Sequence, residues 1–222
     1  MIPIRDSVRP EKTPYVNWIL IVLNLSVFIW ELMLPRQGLN EVYYYWGLVP
    51  SNVIHNFFLL GGIPLTFITS IFLHGGWMHV LGNMLFLWVF GDNVEGRLGH
   101  LRYLLFYLAV GVIGGLTQVF MNPVSEVPVI GASGAVAGVL GAYAVSFPRA
   151  RVLALVFIII MEIPASVFLV LWFVLQLFNG TASLGGAANS VAWWAHVGGF
   201  IMGILLVKLM APARKPRHPA GV

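Results

Sequence analysis

Four side chains in this sequence are of the types and at the spacings that nucleophilic catalysis at a carbonyl requires. Ser133 lies in Gly131-Ala132-Ser133-Gly134, His196 lies in Ala195-His196-Val197-Gly198-Gly199, and His79 stands four residues before Asn83. Such chemistry needs a hydroxyl, a base within hydrogen-bond reach and donors aimed at the developing oxyanion. Ser133 supplies the hydroxyl and His196 the base. His79 and Asn83 share one helix face and offer imidazole and amide donors. Glycines beside the serine let backbone and substrate approach closely. A serine at a helix start also has unpaired backbone N–H groups next to it.

The composition decides what must position these groups. The chain is 59% hydrophobic and 9% charged, against roughly 25% charged for an ordinary soluble domain. A chain of this size cannot hide that much apolar surface from water, so its solvent is a lipid bilayer. The pI of 9.6 reflects no basic stripe or interleaved patch, so no nucleic acid is expected. Cysteine is absent, which excludes disulfides, thiolate catalysis and Cys-ligated metals.

Apolar periodicity predicts one domain over residues 1–210, an all-α six-transmembrane helical bundle with spans at roughly 15–34, 77–91, 101–121, 133–147, 152–178 and 192–210. The first is preceded by Arg5, Arg9 and Lys12 and is read as an uncleaved helix, with no small-residue cleavage site after it. Spans two and four are short for a crossing of about 20 residues, which neighbours shielding them from lipid would permit. The segment 35–62, with Tyr43, Tyr44, Tyr45, Trp46, Phe57 and Phe58, suits a loop in the membrane interface. The tail 211–222 is basic and proline-rich, and disorder is expected there.

Placing the N-terminus inside puts Arg5, Arg9, Lys12, Arg97, Arg102, Arg149, Arg151, Lys208, Arg214, Lys215 and Arg217 on the inner side and Arg36 alone outside. That distribution obeys the positive-inside bias. The chain is therefore read as an integral, multi-pass membrane protein with both termini cytoplasmic and a site opening to the outer side, and its short loops and lack of a transit-peptide pattern point to a plasma (cytoplasmic) membrane. In this topology His79, Asn83, Ser133 and His196 all fall near the outer ends of their helices. No carboxylate shares that depth, so a Ser–His dyad is predicted. Ser133, Ala137 and Gly141 on one helix, and Gly199 and Gly203 on another, form small-residue faces that can pack backbone to backbone.

Read singly, each residue has an ordinary role: Ser133 as a helix cap, His196 as a histidine bonded to a carbonyl, Asn83 as an interhelical hydrogen-bonder. Their convergence at one depth favours the chemical reading. A zinc site of His74, His79 and His196 is imaginable. However, no His-Glu-X-X-His pattern occurs and the Gly-X-Ser-Gly motif would be unexplained, so no metal and no cofactor are expected. His74 is read as a structural support of the loop. Glu162 is read as protonated and hydrogen-bonded at a Pro164 kink inside span five, and Asp92, Glu95 and Arg97 as an interfacial charge cluster. Phe168, Trp172 and Phe173 are read as a lipid-facing surface.

The run from His74 to Asn83 (His-Gly-Gly-Trp-Met-His-Val-Leu-Gly-Asn), then Gly131-Ala132-Ser133-Gly134, then Ala195-His196 with Gly199 and Gly203, resembles the rhomboid intramembrane serine proteases. The resemblance covers nearly the whole chain, in order. It implies a rhomboid-like bundle with Ser133 as nucleophile, His196 as general base, and Asn83, His79 and the Ser133 N–H as oxyanion donors. Gly131, Gly134, Gly199, Gly203 and His74 would support the site. It also implies transmembrane protein substrates, cut near the outer end of a membrane segment without cofactor or metal, and span five as a gate for substrate entry. Two positions depart from the family pattern. Ala137 stands where an aromatic ring often stacks on the histidine, and no Trp-Arg pair occurs between Pro35 and His74.

The rival readings are a non-catalytic rhomboid-like protein that binds or chaperones membrane proteins, and a small channel or transporter. The first fits poorly with retention of both Ser133 and His196, and the second leaves their convergence with Asn83 unexplained. The sequence carries no signal of oligomeric state.

Overall fold

The structure, a computed structural model, describes residues 1–56, 65–184 and 191–213. Its elements are, in order, β1 (Ile2–Asp6), α1 (Tyr15–Leu32), α2 (Arg36–Trp46), α3 (Pro50–Asn56), α4 (Thr66–Thr69), α5 (Trp77–Phe86), α6 (Asp92–Leu98), α7 (His100–Met121), α8 (Ser133–Ser146), β2 (Arg151–Val156), β3 (Ile159–Pro164), α9 (Ala165–Leu184) and α10 (Trp193–Met210). A 3-10 turn, Ser70–Phe72, follows α4, and a π-helical stretch, Leu87–Gly91, joins α5 to α6 in one continuous rod. The fold is that of an all-α membrane protein: α1, α7, α9 and α10 are long and apolar enough to cross a bilayer.

Helix α8 is the axis of the bundle. Every residue from Gly134 to Tyr143 is buried, and a helix that is apolar all round belongs inside protein rather than against lipid. Shielding of this kind explains how a short helix is tolerated at membrane depth. Its neighbour α10 lies close enough for backbones to touch. A methyl group on Gly199 would collide with the Gly134 carbonyl oxygen, one on Gly203 with that of Gly138, and one on Gly141 with that of Phe200. On the far side, a methyl on Gly114 of α7 would lie 2.7 Å from the Ala195 carbonyl oxygen.

Buried polar groups tie the other helices to this core. The Glu95 carboxylate accepts the Val16 and Asn17 N–H groups at 3.0 and 2.7 Å, capping α1 with negative charge at its positive end. Asn17 in turn donates to the Leu87 carbonyl of the π-helical stretch at 3.0 Å and accepts from the Tyr103 hydroxyl at 2.7 Å. Glu95 is therefore fully buried and not part of an interfacial cluster. Arg97 instead donates to the Pro212 carbonyl at 2.7 Å.

Residues 152–178 are not one helix. Val152, Val156, Ile158, Ile159, Ile160 and Ile163 are β-branched residues that suit a pleated strand better than a helix. They form the hairpin β2–β3, whose turn includes Phe157 at φ +54°. The N-terminal β1 adds to its free side, giving the order β1-β2-β3. Asp6 anchors the sheet, accepting from the Tyr143 hydroxyl and from Asn93 Nδ2. Glu162 consequently sits outside the helices, exposed on β3 and paired with Arg151 at 3.0 Å, and not at a helix kink. The membrane helix begins after Pro164, at Ala165. Along it Phe168, Leu169, Gln176 and Gly180 are buried while Val167, Val170, Leu171, Val174 and Leu175 are exposed. Phe168, Trp172 and Phe173 thus turn toward the bundle, packing on Phe86, Phe90 and Phe200, not toward lipid.

The segment 35–56 is helical rather than loop, and the rest of the predicted interfacial stretch, with Phe57 and Phe58, lies outside the described residues. So does the tail from residue 214 onward. Pairing of β1 with β2, and of Arg97 and Arg102 with the Pro212 and Met210 carbonyls, gathers the N-terminus, the α6–α7 corner and the end of α10 at one pole. The starts of α8 and α10 lie at the other.

The α8–α10 contact generates the first prediction. Gly203→Ala will cost about 1–3 kcal/mol through overpacking against backbone and lower the thermal midpoint in detergent. Gly82→Ala, where the added methyl would meet nothing within 4 Å, will be neutral or raise the midpoint, by about 0.5–1 kcal/mol. Scanning fluorimetry of both variants beside the parent decides it.

Candidate active site

Ser133 is the first residue of α8. The first bond of that helix runs from the Val136 N–H to the Ala132 carbonyl, 2.9 Å, so the N–H groups of Ser133, Gly134 and Ala135 are spared from the helical ladder. The approach to the serine is strapped in place by backbone pairing. Leu48 and Val129 exchange hydrogen bonds of 3.0 and 2.8 Å, and Gly131 N–H donates to the Ser70 carbonyl at 2.8 Å. Gly131 has φ +117°, and a methyl there would collide with the His79 ring at Nε2. Both the left-handed backbone and the contact restrict this position to glycine. His79 is thereby held against the chain two residues before the serine. A cavity of about 20 Å³ lies beside Ser133, lined also by Ser70, Ile71, Gly131, Gly134 and Ala195, a volume suited to one water. A larger cavity of about 250 Å³ is lined by Tyr44, Tyr45, Val53 and Asn56; among the described residues its lining includes no histidine, serine or carboxylate, and it is not the candidate site.

His196 lies in the first turn of α10, whose start is tied to α7. The Trp194 N–H donates to Oε1 of the buried Gln118 at 3.1 Å, giving α10 the cap that its own Ala192 cannot supply. The imidazole is buried. Its Nδ1 bonds to Oε1 of Gln176 at 2.8 Å. Trp172 flanks it with ring centroids 6.1 Å apart, and Trp193 meets it edge-on at 5.8 Å. The aromatic partner missing at Ala137 is replaced by rings from α9 and α10. Ala137 itself lies on the α8–α10 contact, its Cβ 3.5 Å from where a methyl on Gly199 would stand. No hydrogen bond joins Ser133 to His196 among the described residues, a gap common in uncomplexed sites.

His74 holds more partners than a loop support needs. Its N–H faces both carboxylate oxygens of Glu31 at 3.1 and 3.2 Å, and its carbonyl accepts from the Tyr43 hydroxyl at 2.7 Å. Its Nδ1 donates to the Phe72 carbonyl at 3.2 Å, so Nε2 accepts from Asn83 Nδ2 at 3.1 Å. Burial pushes this imidazole down to about 4, with the nearby His79 adding to the shift. It therefore stays neutral, as the acceptor role requires. One amide hydrogen of Asn83 is committed to His74, which aims the other. The rings of His74 and His79 meet edge-on at 5.1 Å.

The structure thus gathers Ser133, His79, Asn83 and His196 at one pole of the bundle, with Gly131, Gly134, Gly199 and Gly203 at the close contacts around them. Sequence reasoning missed Glu31, Tyr43, Gln118 and Gln176. For Glu31, Gln118 and Gln176 the available signal was a charged or amide side chain in a largely apolar span, which bilayer physics makes conspicuous.

A family model described as Rhomboid domain matches residues 62–213. The chain is 28% identical over 216 residues to "Rhomboid-like protein 11, chloroplastic" of Arabidopsis thaliana, covering 93% of this chain and 69% of the relative. It is 30% identical over 207 residues to "Rhomboid protein 1, mitochondrial" of Saccharomyces cerevisiae, covering 89% of this chain and 53% of the relative. With "Rhomboid protease GluP" of Bacillus subtilis it shares 39% identity over 95 residues, 43% of this chain and 18% of the relative. The chain thus spans about half the length of the yeast protein and less of the last. The chloroplastic and mitochondrial names of relatives matched over most of the chain overturn the expectation of a plasma membrane. The physical reason is that short loops and the Lys and Arg bias describe how helices cross and orient in a membrane without specifying which membrane it is.

The His74 network generates the second prediction. His74→Leu leaves a buried Asn83 donor unpaired, at a cost of about 1–3 kcal/mol, and will lower the thermal midpoint at pH 7.5. Because the folded state holds His74 below its ordinary 6.5, at about 4, acid favours the unfolded chain. That contribution to stability is whole above pH 6.5 and shrinks as pH falls toward 4. Thermal midpoints measured across this range will fall less steeply for His74→Leu than for the parent.

Proposed function

The chain belongs to the rhomboid family, and on that premise we propose that it is an intramembrane serine endopeptidase acting by a Ser133–His196 dyad on transmembrane protein substrates. The observation that carries this reading is that Ser133 stands at the unladdered start of α8 while His196, on the helix packed against it, is buried with its Nδ1 already engaged. Its Nε2 is then the nitrogen left to act as base. The protease name of the Bacillus subtilis relative supports the same class of chemistry.

In the proposed reaction Ser133 Oγ attacks the scissile carbonyl while His196 Nε2 takes its proton. The carbonyl oxygen, now anionic, is met by the Ser133 N–H, by the second amide hydrogen of Asn83 and by His79. The imidazolium returns the proton to the departing amine, leaving an acyl-serine. Water, deprotonated by the same imidazole, then releases the acid product and restores the serine. A substrate segment must unwind to present its carbonyl, so small and helix-weakening residues are favoured near the cut. The polar site inside a bilayer is costly to maintain, which weighs against an idle one.

Purified protein in detergent, given a test transmembrane substrate, will cleave it, and Ser133→Ala and His196→Ala will each abolish cleavage. A fluorophosphonate probe will label the parent at Ser133 and neither variant. Alanine variants as active as the parent would sink the assignment of the site. Absence of both cleavage and labelling would favour a non-catalytic membrane-protein binder.

A further inference from the structure

Between Val167 and Phe178, α9 carries a single polar side chain, Gln176, and turns it inward. A buried amide at membrane depth must have its donors and acceptor met within the protein. Its Nε2 donates to the Trp172 carbonyl, one turn back on α9, at 3.2 Å. Its Oε1 faces His196 Nδ1 at 2.8 Å. These two contacts decide each other. Reversing the amide would set its oxygen against the Trp172 carbonyl, acceptor on acceptor, so the oxygen must be the atom that faces the histidine. An amide oxygen only accepts, hence His196 carries its proton on Nδ1 and keeps its lone pair on Nε2. That is the tautomer a base directed at Ser133 requires.

The helix that brings Gln176 is not the helix that bears His196. Helix α9 packs on α10 through Phe173 and Phe200, 4.7 Å between ring centroids, and through Trp172, which touches both Phe200 and the imidazole. Its opposite face is exposed along its length. On the reading of Ser133 and His196 as a dyad, we propose that Gln176 is a positioning residue for His196, fixing its tautomer and ring orientation, so that the dyad is complete only while α9 is docked on α10. A neutral amide from a neighbouring helix here does what a carboxylate does in a catalytic triad, in a chain whose α8 carries Ala137 and therefore no ring at that position.

Two substitutions test this. Gln176→Leu keeps the volume and removes the acceptor; Gln176→Glu keeps the acceptor and adds charge. Cleavage of a test transmembrane substrate by Gln176→Leu will show kcat lowered by about tenfold or more, with KM changed little, the pattern of a lost orienting partner. Gln176→Glu will recover most of the kcat and move the acidic limb of its pH–rate profile to higher pH, because a carboxylate beside the ring favours the imidazolium. His79 is the other titratable group near His196 and is unchanged in both variants. Nitrogen-15 NMR of labelled histidine will report protonated Nδ1 in the parent and a mixture of tautomers in Gln176→Leu, a readout independent of turnover. A leucine variant with parental kcat, pH profile and tautomer would overturn the proposal. So would a loss of activity in Gln176→Leu that tracks a loss of fold, with Gln176→Glu failing to recover it. Inactive Ser133→Ala and His196→Ala beside a fully active Gln176→Leu would refute the positioning role alone, whereas active alanine variants would refute the dyad itself.

Discussion

The backbones of α8 and α10 touch, and the site depends on that contact. In lipid no hydrophobic force drives helices together, so close approach must come from small residues that let main chains meet. Gly134 against Gly199 and Gly138 against Gly203 provide it. One helix contributes its N-terminal serine and the other a histidine in its first turn, so the same contact that joins the helices sets hydroxyl and imidazole at one pole. The neighbours α7, α9 and the α5–α6 rod then enclose a central helix too short to face lipid alone.

A second constraint follows from the first. Once the site is enclosed in a bundle, a polar group near it left without a partner inside the protein is costly. The partners are Glu31 and Tyr43 for the His74 backbone, His74 for Asn83, Gln118 for the start of α10, and Gln176 for His196. All but His74 reach from one helix to a group on a separate segment more than fifteen residues away. The network thereby orients the proposed oxyanion donors and the proposed base while it locks the helices together. Positioning and stability are the same set of bonds here, so a substitution in the network is expected to register in both.

The opposite pole is built on other terms. There the sheet of β1, β2 and β3 closes the connection from α8 to α9, and arginines bond to the last carbonyls of α10. It shares no residue with the site.

Much of this was legible in the sequence because it rests on rules that act locally or through composition. Apolar content dictated lipid as the solvent, small residues at four-residue spacing marked the α8–α10 faces, and Ser133, His196, His79 and Asn83 stood out as polar groups near helix starts. The hairpin over 151–164 was misread because an unbroken apolar run fits a buried strand as well as a helix by periodicity alone. Its β-branched isoleucines and valines were the discriminating signal. Glu162 was misplaced with it. What the sequence could not settle was pairing between distant elements: that Gln176 meets Nδ1 of His196, that His74 meets Asn83, or that Glu95 caps α1. Hydrogen-bond partners separated by 9 to 79 residues leave no periodic trace, because their geometry exists only after the elements have packed. The residue types were fixed by local chemistry and the solvent. Which nitrogen of His196 holds the proton was decided by the tertiary structure, through a glutamine on another helix.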